Sequence, residues 1–335
     1  MSTGIRNQNS TEGTTQAALG IVIPGGTGQI GQLLAHYFHG DGDDVTVLAR
    51  QANPKAPWRS ISWDGLTLGP WTEAIDGADV VINLAGRSVN CRYNKSNRRI
   101  IKESRTETTR LIGQAIAAAK HPPALWMNAS TATIYRHSFD RPMDEATGEL
   151  GGAEPNAPDT WRFSIDVAKS WEEAFFQSVT PLTRKIALRS AIVIAPSHSG
   201  TFDILLDLVR RGLGGASGTG KQFVSWIHDK DFIRAIEFLI KREQIDGIVN
   251  ISSPNPLPNR EFMQALCEAW GARLAIPATA WLLEVAAVFM HTETELVLKS
   301  RRVIPTRLLE AGFEFQFPTW PEAAVDLVRR WRLMP

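Results

Sequence analysis

Three glycines, Gly25, Gly28 and Gly31, follow the apolar run LGIVI at 19–23 and precede a helix-patterned stretch at 32–38. They sit where a buried strand turns into a helix. Backbone N–H groups at the positive end of such a helix, with no side chain in front of them, suit the pyrophosphate of a dinucleotide. Glycines at three-residue spacing alone signal only a tight turn with positive φ. The flanking strand and helix turn the pattern into a nucleotide cradle formed by Gly25, Thr27, Gly28, Gln29, Ile30 and Gly31.

Beyond this turn, strand and helix patterns alternate. Apolar strands are expected at 45–49, 60–63, 80–84, 125–129 and 185–194, and helices at 32–38, 71–75, 97–120 and 165–177. The alternation predicts an α/β chain, a Rossmann-type doubly wound parallel sheet covered on both faces, with a small C-terminal substrate subdomain. Residues 1–18 are polar and are expected to form a loose tail. The nucleotide-binding domain is expected over 19–195 and the substrate subdomain over 196–335, with some segments of the latter returning to the first domain. The Gly/Ser-rich 212–220 and Pro-rich 254–258 are expected to be loops lining a cleft.

With 335 residues, 43% of them hydrophobic and 21% charged, the chain can bury a large core. A formal net charge of +1 offers no basic surface for nucleic acid, so a small-molecule partner is expected. Cys91 and Cys267 are too few and too far apart for a disulfide framework or a thiolate metal site, which fits the cytoplasm. The apolar stretch 280–290 is interrupted by Glu284 and too short to span a bilayer, so no membrane association is expected. No His, Cys or carboxylate spacing suggests a metal centre. The oligomeric state is left open.

The second strand ends at Arg50, where an NAD-binding chain would carry a carboxylate for the ribose hydroxyls; an arginine there favours the 2'-phosphate of NADP(H). Asp64, after the third strand, either accepts from the adenine amino group or forms a turn before Gly65. Arg98, Arg99, Lys102, Arg105 and Arg110 load one helix with positive charge opposite Ile101, Ile112 and Ile116. Most of this charge is expected to be a solvated face; in the functional alternative one or two of these residues, Arg105 foremost, face the cleft and hold an anionic substrate.

The glycine turn, NLAG at 83–86, STATIY at 130–135, Leu188 and Arg189, and WIHDKD at 226–231 together resemble the extended, epimerase/dehydratase-like branch of the short-chain dehydrogenase/reductase superfamily. The resemblance covers nearly the whole chain. More narrowly, LGG at 213–215, Gln222, SWIH at 225–228, 296–298, Pro305, 307–309 and 311–313 resemble an atypical bacterial and organellar group, the epimerase family proteins, with a characteristic C-terminal region.

The resemblance implies that Leu84, Ala85 and Gly86 line the cofactor's ribose side, that Thr131 positions the reacting oxygen, and that Lys169 grips the nicotinamide ribose. It also implies a catalytic tyrosine one helical turn before Lys169, where this chain has Ile165, which cannot carry a proton. The narrower group commonly lacks that tyrosine too. Tyr135, beside Arg136 and His137, is expected at the cleft mouth, as a replacement acid/base or a substrate-wall residue. His198 and His228 are further candidates, His228 more as a loop anchor, and Trp226 is expected to border the substrate cleft. The implied activity is an NADP(H)-dependent oxidoreductase or epimerase-like enzyme acting on an unidentified small carbonyl or hydroxyl compound through Thr131, Tyr135 and Lys169. The alternative is a non-catalytic NADP(H)-binding redox sensor.

Overall fold

The computed structural model describes residues 17–197, 200–277 and 298–334. The expectations for most of the tail, for His198 and for 280–290 lie outside these residues, as do Leu296 and Val297.

The first half of the chain alternates as β1 (Gly20–Pro24), α1 (Gln29–Gly40), β2 (Asp44–Ala49), β3 (Arg59–Ser62), β4 (Val80–Asn83), α2 (Lys95–Ala118), β5 (Leu125–Thr131), α3 (Asp159–Gln177) and β6 (Arg184–Ser190). These strands, with β10 (Gly247–Ile251), form one seven-stranded sheet in the order β10-β6-β5-β4-β1-β2-β3. Every pairing in it is parallel. Successive strand side chains go to opposite faces, so β1 divides its residues between two cores. Ile21 and Ile23 join Leu34 and Phe38 of α1 and Phe232, Ile236 and Leu239 of α5 (Asp229–Lys241). Val22 joins Ile112 and Ile116 of α2 and Phe175 of α3 on the other side. The strand order reverses at β1, which pairs with β2 on one side and β4 on the other, the switch point at which open α/β sheets form a ligand crevice at the carboxyl ends of their strands.

The expected strand 185–194 is two strands. β6 ends at Ser190, and β7 (Ile192–Ile194) leaves the main sheet to pair in parallel with β9 (Trp226–His228). The bend follows Arg189 and Ser190, the polar residues that interrupt the apolar run between Leu188 and Ala191. The helix expected at 71–75 is a 3-10 turn, Pro70–Ala74, with Ile75 as its C-cap, rather than an α-helix. α2 begins at Lys95, where the Asn94 side chain accepts from the Asn97 N–H at 2.9 Å.

The C-terminal subdomain contains α4 (Thr201–Arg210), β8 (Phe223–Val224), β11 (Leu257–Pro258), α6 (Asn259–Trp270), α7 (Thr306–Glu310) and α8 (Trp320–Arg332). Its core joins Phe202, Leu206, Phe262, Leu266, Trp320 and Leu327. Phe262 and Trp320 stack with centroids 3.9 Å apart. Trp226 belongs to this core: it is fully buried, packed edge-on to Trp320 at 5.0 Å. The expectation that it borders the cleft is therefore corrected, because β9 turns the indole inward under α6 and α8. His228 is the loop anchor expected of it. Its Nδ1 accepts from the Lys230 N–H at 3.2 Å at the start of α5, and its Nε2 lies 3.1 Å from Asp326 Oδ2 on α8. No helix among the described residues is long and apolar enough to cross a membrane.

Candidate functional site

The glycine turn connects β1 to α1, and its glycines serve different needs. Gly25 has φ +76°, and a Cβ there would lie 2.7 Å from the Ala85 backbone. At Gly31 a Cβ would collide with the backbone of Gly26. These two are required by the protein's own packing. Gly28 is not: its φ of −71° suits any residue, and a Cβ there would meet nothing nearer than the Gly25 carbonyl oxygen at 3.8 Å. Gly28 is exposed with Thr27 and Gln29, and no side chain caps the first turn of α1. The N–H groups there, which no side chain caps, leave an open positive helix end of the kind an anionic group such as a pyrophosphate suits. Ile30 packs inward against the core.

Two neighbouring strand ends flank this cradle. The Gly25 N–H donates to the Leu48 carbonyl at 2.9 Å, which sets the end of β2 beside the turn. Arg50 follows, exposed, and its guanidinium has no hydrogen-bond or ion-pair partner among the described residues. On the other side the Leu84 N–H donates to the Pro24 carbonyl at 2.9 Å, and the Ala85 N–H to the Asn83 side chain at 3.0 Å. Leu84, Ala85 and Gly86 thus form the wall opposite Arg50. Across the opening, the Gln29 amide donates to the Ser197 hydroxyl at 3.2 Å, joining the start of α1 to the segment after β7. Asp64 caps its own turn. Oδ1 accepts from the N–H groups of Leu66 and Thr67 at 2.8 and 2.9 Å, and Oδ2 from the Thr67 hydroxyl at 2.7 Å. These donors bring its pKa down to about 2.

Thr131 ends β5, half-exposed, with its oxygen accepting from the Thr133 N–H at 3.1 Å and its own O–H left to donate. The strand is rooted beneath it. Ser130 donates to Glu172 at 2.6 Å, and Glu172 takes Arg189 of β6 in a buried two-pronged pair at 2.8 and 2.7 Å.

Tyr135 is not at the cleft mouth. It is 2% exposed, and its hydroxyl donates to Asn250 Oδ1 at 2.9 Å under the sheet edge. A short 3-10 turn at Ala132–Ile134, followed by a bridge from Tyr135 to Leu150, drives the ring inward. Burial raises its pKa, against the influence of Arg189, whose guanidinium lies 4.9 Å from the ring centroid. The expected acid/base role fails on both position and direction of shift.

Ile165 and Lys169 lie on one face of α3, as the spacing requires. Ile165 is 1% exposed beneath Gly151 and Gly152; a Cβ on Gly151 would lie 2.7 Å from Ile165 Cδ1. Lys169 Nζ donates to the Gly151 carbonyl at 2.7 Å. Gly151 is tied to Ile134 at 2.9 Å, and Gly152 to Glu154 at 2.6 Å.

On α2, Arg98, Lys102 and Arg110 reach Asp159, Asp166 and Glu107 at 2.5, 2.7 and 2.5 Å, while Arg99 lies 3.9 Å from Glu103. These form the solvated face. Arg105 has no carboxylate partner among the described residues. Its Nη1 donates to the carbonyls of Arg87 and Ile101, both at 3.0 Å, and its guanidinium lies 5.1 Å from the Trp171 ring centroid.

Sequence reasoning missed Lys299 and Arg301. Buried Lys299 donates to the Thr133 carbonyl at 2.7 Å, and Arg301 Nε to the Thr133 hydroxyl at 3.1 Å. Between them, the Ser300 N–H donates to His137 Nδ1 at 2.9 Å. The run KSRR carries no motif spacing and looks like solvated charge, so only the tertiary contact reveals it. No cluster among the described residues has the composition to hold a metal ion.

Residues 21–162 match the NAD dependent epimerase/dehydratase family, and residues 278–327 match a domain of unknown function, DUF1731. The mouse epimerase family protein SDR39U1 is 31% identical over 313 residues, 92% of this chain and 99% of that protein. An epimerase family protein of Staphylococcus saprophyticus is 30% identical, over 92% of this chain and 98% of the relative. The crystal structure of human epimerase family protein SDR39U1 with NADPH superposes with a TM-score of 0.80 at 28% identity, covering 92% of this chain and 99% of that one. A full-length likeness of this kind, with the glycine cradle, the parallel sheet and the DUF1731 match all in place, makes this chain a member of the epimerase family proteins within the NAD dependent epimerase/dehydratase family.

Proposed function

We propose that the protein binds NADP(H) at the β1–α1 turn and acts as an oxidoreductase or epimerase-like enzyme on a small compound bearing a carbonyl or hydroxyl group. The observation that carries this reading is Gly28, a glycine that neither backbone angle nor internal packing demands, at the uncapped start of a helix. A ligand backbone approaching that helix end explains it. Unpaired Arg50 supplies the fork for a 2'-phosphate, and the human relative crystallised with NADPH supports that choice of dinucleotide.

Bound there, the nicotinamide would supply or accept a hydride. Thr131, at the end of β5 with a free O–H, orients the substrate oxygen, and Lys169 holds the ribose side once it exchanges the Gly151 carbonyl for the ligand. With Tyr135 buried, water at Thr131 carries the proton. The test is single-turnover oxidation of bound NADPH across sugars, nucleotide sugars, quinones and simple carbonyls. Oxidation by one of them, slowed in Thr131→Val, is expected.

A second reading, a non-catalytic NADP(H)-binding redox sensor, is favoured by Ile165 lying sealed beneath Gly151 and Gly152. Tight NADPH binding with no oxidation by any compound of the panel decides for it.

A further inference from the structure

Arg105 stands apart from the other α2 arginines discussed above because no carboxylate among the described residues answers it, only the Tyr93 phenol nearby. A guanidinium has five N–H donors in a planar fork. Here Nη1 takes the carbonyls of Arg87 and Ile101, and the Nε and Nη2 groups have no partner among the described residues. The group is half-buried, and burial lowers its pKa to about 10 with no neighbouring carboxylate to offset the loss of water. Its seat is rigid. The Trp171 indole beneath it is buried and fixed by its N–H donating to the Thr109 hydroxyl at 3.0 Å. The turn carrying the Arg87 carbonyl is held to α2 by the Arg87 N–H donating to Ser104 at 3.0 Å.

The position of this seat gives it a use. A Cβ on Gly86 would stand 3.3 Å from Arg105 Cγ and Cζ, so the exposed glycine leaves room directly against the guanidinium. Gly86 follows Ala85, whose backbone abuts Gly25 of the cradle. The guanidinium therefore belongs to the rim of the same crevice. Arg50 follows β2, while Gly86 and Arg105 lie by the end of β4, and β2 and β4 flank β1 on opposite sides. A dinucleotide with its 2'-phosphate at Arg50 and its pyrophosphate at α1 has no phosphate left for the β4 side.

We propose that Arg105, seated on Trp171, is an anion subsite that takes a carboxylate or phosphoryl group of the substrate. The substrate class is thus an anionic carbonyl or hydroxyl compound. This rests on the reading of the crevice as an NADP(H) site.

The test is calorimetric titration of the protein with inorganic phosphate and with malonate, each with and without saturating NADPH, for wild type, Arg105→Gln and Arg105→Lys. Wild type loaded with NADPH is expected to bind at least one anion saturably. Arg105→Gln should weaken that binding about tenfold or more, the worth of a charge-assisted contact, while keeping NADPH affinity within about twofold. Arg105→Lys, which keeps the charge and loses the fork, should fall between. Absence of saturable anion binding by wild type overturns the proposal, as does unchanged anion binding by Arg105→Gln with a wild-type melting curve. A tenfold loss of NADPH affinity in Arg105→Gln also overturns it, by assigning the guanidinium to the cofactor. Failure of wild type to bind NADPH would instead sink the functional reading, while the titrations without NADPH still report on Arg105.

Discussion

Lys169 and Ile165 lie one turn apart on α3 and meet the same residue: Lys169 Nζ donates to the Gly151 carbonyl at 2.7 Å, and Ile165 Cδ1 lies within 2.7 Å of where a Gly151 Cβ would stand. The position at which the sequence resemblance implies a catalytic tyrosine is therefore a socket for a loop. Ile165 is a packing residue whose partner, the Gly151–Gly152 backbone, closes over it.

It follows that Ile165→Tyr does not restore a dehydrogenase site. A phenol ring under Gly151 overpacks the socket and should cost about 1–3 kcal/mol of stability. Denaturant unfolding reads the loss, and single-turnover NADPH oxidation should remain at the wild-type level. A stable variant with new carbonyl reduction would show that the loop yields readily.

The glycines separate binding from folding. Gly28→Val should abolish NADPH binding while costing no more than about 1 kcal/mol, because the added side chain meets solvent and not protein. Gly25→Ala should do the reverse in kind. At φ +76° and 2.7 Å from Ala85, it strains the turn and lowers the melting temperature even without ligand. Calorimetry and thermal melts on the two variants measure the contrast.

Arg50→Ala should remove the preference for NADPH over NADH. The lost contact to a 2'-phosphate is worth about 1.5–3 kcal/mol, and NADH affinity should barely change. Equal affinities for the two cofactors in wild type would remove Arg50 from the site.

These positions were legible because each depends on a few adjacent residues. A strand, three glycines and a helix specify their own geometry, and Arg50 is fixed by where β2 ends. Tyr135 and Trp226 were not legible, because their burial is decided by distant partners: Asn250 at the far edge of the sheet for one, Trp320 of α8 for the other. Lys299 and Arg301 illustrate the same limit from the opposite side. Nothing near them in sequence shows that they reach Thr133 just past β5. That β10 joins the seven-stranded sheet and α5 packs beside α1 is not legible either, since short apolar runs do not say which sheet they join.

Tyr135→Phe follows from its burial. Removing the hydroxyl leaves Asn250 Oδ1 without its donor and should cost about 1–3 kcal/mol, while NADPH affinity and any turnover stay unchanged. A loss of turnover with intact stability would return the phenol to the reaction.

The last prediction concerns acid. His228 is buried between Asp229 and Asp326, stacked on Phe317 at 3.9 Å, with Arg330 also near it. Burial, helped by Arg330, outweighs the carboxylates of Asp229, Asp326 and Asp231 and holds its folded pKa below the ordinary value of about 6.5. His137, half-buried beside Lys299, is shifted the same way. As the pH falls from about 7, the unfolded chain takes up these protons first, so it binds more protons than the folded chain and stability declines. The contribution is fully present above the unfolded pKa and is lost as the pH falls toward the folded one. The carboxylate of Asp326, itself held below its ordinary value, adds a further loss only at more acidic pH. Melting temperature should therefore fall between about pH 7 and pH 5, and His228→Gln, which cannot titrate, should flatten that slope although it melts lower throughout. A wild-type slope unchanged by His228→Gln would assign the acid sensitivity to His137 or to the carboxylates.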